Sequence, residues 1–138
     1  MTEQELLKLL LRYPSLSHQH NMTISRLTAM EYKITPSYGN TGGGRASGTQ
    51  SKVEDYVTKI VKLKRDEKRL REQLETVYKA IACPDLTFHE KGILEWIMEG
   101  RKLATYAEME GIYSSRVYKL RDRALKKAVN YIMQDKMR

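Results

Sequence analysis

The sequence has little of what disulfide-stabilised, metal-dependent or membrane-spanning proteins require. Its 138 residues include a single cysteine, Cys83, which excludes an internal disulfide, and no CxxC or HExxH motif. The glycines at 42–44 are not followed by the GKS or GKT of a phosphate-binding loop. No apolar run approaches the ~20 residues of a membrane span. We therefore expect no metal site, no cofactor, no enzymatic activity and no membrane partner.

Acidic residues are also scarce relative to basic ones. Lys and Arg total 25 against 17 Asp and Glu, which gives a formal net charge of +8. This surplus favours a polyanionic partner such as DNA or RNA. The first five residues carry two acids, Glu3 and Glu5, where a secretory leader carries bases. We therefore predict a cytoplasmic protein.

Composition divides the chain into three predicted parts. Five of the eight glycines lie in residues 38–48, which is typical of a flexible linker. Residues 51–82 contain neither glycine nor proline, and Pro84 then marks a break. The first predicted part, residues 1–50, contains an N-terminal helix and the glycine-rich flexible segment. The second, residues 51–84, is a long central helix. The third comprises residues 85–138.

Helix starts are indicated by a Ser or Thr followed three residues later by Glu, because side chain and backbone then satisfy each other's free groups. This spacing occurs at residues 2/5, 51/54, 87/90 and 105/108. The pattern predicts an all-α fold with helices near residues 3–12, 52–82, 88–99, 105–110 and 114–134. Residues 23–34 are compatible with a short helix or with extended chain, and the sequence leaves this open.

The central helix carries apolar residues at heptad spacing over residues 53–81. Of nine a and d positions, eight are apolar and one is Glu67. Such a stripe is typical of a coiled coil, but apolar residues at two e positions make it wider than a two-stranded interface needs. Two interpretations stay open: the helix packs within its own chain, or it self-associates as a homo-oligomer. The predicted oligomerisation residues are Val53, Tyr56, Ile60, Leu63, Leu70, Leu74, Val77 and Ile81.

Residues 103–120 have the spacing of a helix, a tight turn and a second helix. Ala107 supplies the small residue needed where the helices touch, and Gly111, four residues on, can adopt the left-handed turn conformation. We expect Tyr106 to close the core from the other side. The residues predicted to point inward after the turn are Ile112, Val117 and Leu120, and those of the preceding helix are Phe88, Ile93, Leu94 and Ile97, with Trp96 at its edge.

Positive charge is concentrated on the second of these helices. Residues 114–131 hold six bases and one acid, a net of +5, whereas residues 85–113 hold three bases and six acids, a net of −3. A helix that enters a DNA groove needs such a surplus, because phosphate neutralisation supplies most of the non-specific affinity. The first turn should lie nearest the base edges, where Arg116 can pair with guanine. The predicted DNA-binding residues are Tyr113, Ser114, Ser115, Arg116, Tyr118, Lys119, Arg121, Arg123, Lys126 and Lys127, of which the two serines suit a helix cap equally well.

From residue 86 to residue 127 the chain resembles region four of sigma-70-type factors. The order of its segments is also similar to that of small phage late-transcription activators of the ArpU/RinA type. Glu110 is a departure, because this motif usually has an apolar residue just before the turn glycine. The matching residues are Leu86, Glu90, Ile93, Leu94, Gly100, Ala107, Gly111, Ile112, Val117 and the run Arg-Asp-Arg-Ala-Leu-Lys-Lys at 121–127.

The resemblance implies a sigma-region-four-like helix-turn-helix domain at residues 85–138. It implies a sequence-specific regulator that binds double-stranded DNA and activates phage late genes near a promoter −35 region, in the cytoplasm of the host cell. Host RNA polymerase is an implied partner, and we expect the N-terminal segment 1–50, with its apolar Leu6–Leu11 face and no comparable basic surplus, to make the protein contact. Two alternatives stay open: a small terminase-like subunit that recognises phage DNA for packaging, and a module whose basic helix docks on an acidic protein.

Overall fold

The computed structural model describes residues 1–34 and 46–137, with side chains for residues 1–31 and 53–136. Within these ranges every regular element is a helix, which confirms the predicted all-α fold and its long central helix. The helices are α1 (Glu3–Leu11), α2 (Tyr13–Ile34), α3 (Ala46–Ile81), α4 (Phe88–Met98), α5 (Leu103–Glu110) and α6 (Ser114–Met137).

Two of the four predicted helix starts are confirmed by their hydrogen bonds. At α1 the Thr2 hydroxyl accepts from the Glu5 amide at 3.2 Å, and the Glu5 carboxylate accepts from the Thr2 amide at 3.4 Å. At α4 the Thr87 hydroxyl accepts from the Glu90 amide at 3.3 Å. These contacts satisfy amides that have no partner inside the helix.

The other two predicted starts are wrong. Helix α5 begins at Leu103, with Lys102 as its cap, so Thr105 lies inside the first turn. Helix α3 begins at Ala46 and includes position 51. The predicted glycine-rich flexible segment lies outside the described residues up to residue 45, and its last three residues belong to α3. A Ser/Thr-x-x-Glu spacing marks a possible cap, but favourable packing can extend a helix beyond it.

Helix α2 settles the conformation of residues 23–34, which the sequence had left open. It starts at Tyr13, directly after α1, and Pro14 lies in its first turn, where a missing amide hydrogen costs nothing. From residue 18 onward, the residues that it buries or half-buries on one side are His20, Thr23, Leu27 and Met30, spaced three and four apart. The Thr23 hydroxyl donates to the Gln19 carbonyl at 2.8 Å, which satisfies it in its buried position.

The described chain forms two compact units, of which the first comprises residues Met1–Ser17 and Glu72–Arg138. Helix α6 packs on α1, α4 and α5, and α1 also packs on α4. Leu6 and Leu10 are fully buried in this core together with Val77 and Ile93. The expected role of residues 6–11 as an exposed protein contact is therefore wrong for Leu6 and Leu10. The predicted boundaries at 50/51 and 84/85 do not coincide with this unit, because α1 and the end of α3 contribute to it.

The second unit, His18–Arg71, contains most of α2 and α3. Glu31 pairs with Lys64 at 3.8 Å, and His20 lies 4.0 Å from Glu67, so α2 and α3 contact each other within this unit. Heptad positions of α3 in this unit are half-buried at Tyr56, Ile60 and Leu63 and buried at Leu70.

The heptad stripe of α3 is thus largely covered by its own chain. Leu74 and Val77, in the first unit, are buried as well, and Ile81 packs against the core. The prediction that these positions face a second copy is wrong for Leu70, Leu74 and Val77, because their side chains are at most 6% exposed. Val53 is the exception among the predicted oligomerisation residues, since about half of it is exposed.

None of the helices in the described ranges combines the length and the apolarity needed to cross a lipid bilayer.

The position of α1 in the core can be tested with two adjacent leucines. Leu10→Ala should lower the free energy of unfolding by about 2–5 kcal/mol, because it opens a cavity in the core. Leu11 is exposed, and Leu11→Ala should change stability by no more than about 0.5 kcal/mol. Urea denaturation of the full chain measures both. Equal effects of the two substitutions would contradict the packing of α1 on α4 and α6.

Candidate nucleic-acid interface

The candidate interface is built on the connection between α5 and α6. Gly111 has φ +67°, the left-handed conformation that was predicted for it. Its amide donates to the Ala107 carbonyl, and the Ile112 amide donates to the same oxygen at 3.0 Å. These bonds close the end of α5, and three residues later α6 begins with the Val117 amide donating to the Tyr113 carbonyl at 3.1 Å. The turn therefore lies where predicted, despite Glu110.

The predicted packing of α5 and α6 is confirmed at its centre. Ala107 and Val117 are buried, and Ile112 and Leu120 pack against the same core. Ile93, Leu94 and Ile97 of α4 form the buried platform, and Trp96 is half-buried at its edge, with its indole nitrogen donating to the Lys102 carbonyl at 2.8 Å. Phe88 was predicted to join this platform, but it is 81% exposed because the first residue of α4 points away from the core.

Tyr106 closes the core as predicted. It is buried, its ring meets the Trp96 ring edge-on with centroids 5.4 Å apart, and its hydroxyl lies 2.9 Å from His89 Nδ1. Burial raises the pKa of Tyr106 above its ordinary value of 10.0, and the Glu110 carboxylate raises it further. The phenol therefore stays protonated and hydrogen-bonded, which holds α5 against α4.

Helix α6 has one apolar and one basic face. Its buried residues are Val117, Ala124, Leu125, Ala128, Val129 and Ile132, which recur at helical spacing. Arg116, Lys119, Arg123 and Lys126 are exposed and recur at spacings of three and four, so they form a single outward row. We call these four residues the basic row.

The basic row borders an open groove at the start of α6. The groove has a volume of about 390 Å³, and its lining residues are Tyr113, Ser115, Arg116, Lys119, Leu120 and Arg123. Tyr113 is 85% exposed beside it. Six of the ten predicted DNA-binding residues thus lie in the basic row or line this groove, with Ser114 exposed in the same first turn. Guanidinium, ammonium, hydroxyl and phenol groups at one surface are suited to phosphate oxygens and base edges.

Arg121 and Tyr118 lie at the side of the basic row and contact each other. The Arg121 guanidinium donates to Asp122 Oδ1 at 3.0 and 3.2 Å and lies over the Tyr118 ring, 5.0 Å from its centroid. The Asp122 carboxylate offsets the charge of Arg121. Of the two basic residues flanking Asp122, Arg123 is therefore the stronger candidate for a phosphate contact.

Lys127 is placed differently from the other predicted DNA-binding residues. Its Nζ donates to Glu90 Oε1 at 2.8 Å and to the Asp85 carbonyl at 3.2 Å. Glu90 is only 3% exposed, and its Oε1 also accepts from the Thr87 hydroxyl at 3.0 Å. Lys127 therefore compensates a buried carboxylate at the start of α4.

Sequence inspection missed the pairing of Lys127 with Glu90. A hint was available, because Lys127 follows Ala124 by three residues and directly precedes Ala128, at the border of the apolar face. Its partner lies 37 residues away on another helix, and no local spacing could identify it.

The described side chains include no group of three or more His, Cys, Asp or Glu residues arranged to hold a metal ion. No protein-family model matches the chain, and neither does any curated protein or solved structure with which it was compared. The candidate interface therefore depends on its own geometry and charge.

Substitutions of two adjacent lysines can test whether Lys127 stabilises the fold while Lys126 does not. Lys127→Ala should lower the free energy of unfolding by about 1–3 kcal/mol, because it leaves the Glu90 carboxylate buried without its cation. Lys126→Ala, one residue earlier on the exposed face, should have little effect. The double variant Glu90→Gln/Lys127→Ala should be more stable than Lys127→Ala alone, since a neutral amide costs less to bury. Thermal or urea unfolding measures the stability of each variant. An equal loss of stability for Lys126→Ala and Lys127→Ala would contradict the pairing of Lys127 with the buried Glu90 carboxylate.

Proposed function

We propose that this protein is a sequence-specific DNA-binding transcriptional regulator and that α5, the turn at Gly111 and α6 form its helix-turn-helix. The observation that carries the proposal is the basic row, exposed along α6 while the opposite face of the same helix is buried. The core that holds α6 supports it, because a groove-entering helix must be rigidly presented.

The spacing of the basic row fits a nucleic-acid backbone. Arg116 and Lys126 are ten residues apart, which corresponds to about 15 Å along a helix. The four bases in that length neutralise phosphates on DNA that lies along the helix, and the release of counterions makes such binding favourable and salt-dependent. A purely structural amphipathic helix needs a polar solvent face but not a row of four charges of the same sign, which repel one another at this spacing.

The start of α6 is the end that contacts base edges in this proposal. Tyr113 and Arg116 lie there, beside the groove, and the first turn of a recognition helix reaches deepest into the major groove. Arg116 can donate two parallel hydrogen bonds to guanine, and Tyr113 can contact a thymine methyl or a phosphate. Lys126, three turns further, contacts the phosphate backbone and carries no sequence preference.

The regulatory part of the proposal comes from the resemblance to sigma region four and to ArpU/RinA-type activators. We propose that the protein binds near a weak −35 element and that host RNA polymerase is recruited there, in the cytoplasm of the host cell. The apolar residues Leu6 and Leu10 are part of the core, so the surface that contacts polymerase must lie elsewhere on the protein.

The orientation of α6 in the groove can be tested with one substitution at each end of the basic row. Arg116→Ala should cost about 1–3 kcal/mol on the preferred sequence and little on others, so sequence preference is lost. Lys126→Ala should weaken binding to all duplexes equally and reduce the salt slope by about 1. Lys91→Ala, an exposed base of α4, is the control and should change neither quantity. Fluorescence anisotropy with labelled duplexes measures these effects, and identical behaviour of the first two variants would overturn the orientation.

The regulatory role can be tested by footprinting the full chain on phage DNA. Protection over or next to a −35 element, followed by increased transcription with purified host polymerase, is the expected result. Protection confined to a packaging start or a terminase gene would replace activation with the packaging role. Absence of any protected site, together with no salt-dependent binding to any duplex, would overturn the DNA-binding function itself.

A further inference from the structure

The N-terminal half of α3 exposes a stripe of three valines. Val53, Val57 and Val61 are 49%, 50% and 51% exposed and are spaced four residues apart, so they lie along one side of the helix. Valine has a low helix propensity and no polar atom to interact with water. Three of them at consecutive turns therefore cost stability in an isolated chain, both through propensity and through apolar area left in water.

Two of the three valines, Val57 and Val61, lie outside the heptad face of α3, and Val53 is the one heptad position at which the valine stripe meets that face. Tyr56 and Ile60 belong to the heptad face and are half-buried, whereas Val57 and Val61 follow each of them by one residue. One residue corresponds to a rotation of about 100° around a helix. The valine stripe therefore remains open when the heptad face is covered within the chain.

The charges beside the valine stripe show which partner fits it. Glu54 and Asp55 give the start of this segment a negative charge, and the exposed bases Lys59, Lys62 and Arg65 follow before the next acids, at positions 66 and 67. Lys64 is paired with Glu31 in the same chain and is not counted. Two copies of the segment in antiparallel orientation place the acidic end of each beside the basic end of the other. A parallel pair would place like charges together, which is unfavourable.

We infer that the valine stripe is a self-association surface on which a second copy of this chain docks in antiparallel orientation. A two-fold axis midway between Val57 and Val61 places Val57 of one copy on Val61 of the other. The same axis brings Glu54 of one copy beside Arg65 of the other, on the same edge of the stripe. Within one helix these two residues are eleven positions apart, about 16 Å, so they cannot pair inside a single chain.

This inference does not depend on DNA binding, and its test contains no DNA. Sedimentation of the full chain at micromolar concentrations should show a dimer. Val57→Asp should give a monomer, because it places a carboxylate at the centre of the stripe, whereas Thr58→Asp, at the next exposed position, should leave the dimer. Far-UV circular dichroism and thermal unfolding show whether each variant retains its helices.

A charge exchange tests the orientation. Glu54→Arg and Arg65→Glu should each weaken the dimer by about fivefold or more, since each sets like charges against each other across the two-fold axis. The double variant Glu54→Arg/Arg65→Glu should restore the wild-type dissociation constant. A monomeric wild-type chain, or a dimer insensitive to Val57→Asp, overturns the surface. Failure of the double variant to recover overturns the antiparallel pairing.

Discussion

The apolar face of α6 is the constraint on which the candidate interface depends. Val117, Ala124 and Ile132 can be removed from water only if α1, α4 and α5 cover them, and burying them turns the basic row outward. The covering helices come from both ends of the sequence, so Leu6 and Leu10 matter to the presentation of Arg116 although more than a hundred residues separate them. The packing of the apolar face of α6 thus determines which way its basic row points.

The basic residues of α6 serve two different purposes. Lys127 neutralises the buried carboxylate of Glu90 and ties the middle of α6 to the first turn of α4. Lys126, its neighbour, points outward into the basic row. A count of positive charges treats the two lysines as equal. Their surroundings show that Lys127 is engaged within the fold, whereas Lys126 is exposed and available to a polyanion. The net charge of a helix therefore overstates the charge that is available for binding.

Helix α3 shows how one sequence pattern can be correctly identified and still be assigned the wrong partner. The heptad spacing predicts a helix with a covered stripe, and most of the stripe is buried or half-buried, but within its own chain. Its C-terminal part packs in the core of the first unit, and its N-terminal part lies in the unit that it shares with α2. The contribution of α2 was hard to predict because two of the positions it buries or half-buries are polar, His20 and Thr23, and they break the apolar period. The valine stripe is the apolar surface of α3 that remains exposed after the heptad face is covered.

The sequence by itself determined the all-α class, helices α1, α4 and α6, the turn at Gly111 and the amphipathic division of α6. These features depend on interactions within a few residues: a hydroxyl that caps an amide, a glycine at positive φ, and apolar side chains repeated at the helical period. Only the tertiary structure decided that α1 belongs to the core, that Phe88 is exposed and that Lys127 is bound to Glu90. Those outcomes depend on which distant surfaces meet, and a periodic pattern specifies that a face is buried without specifying what buries it.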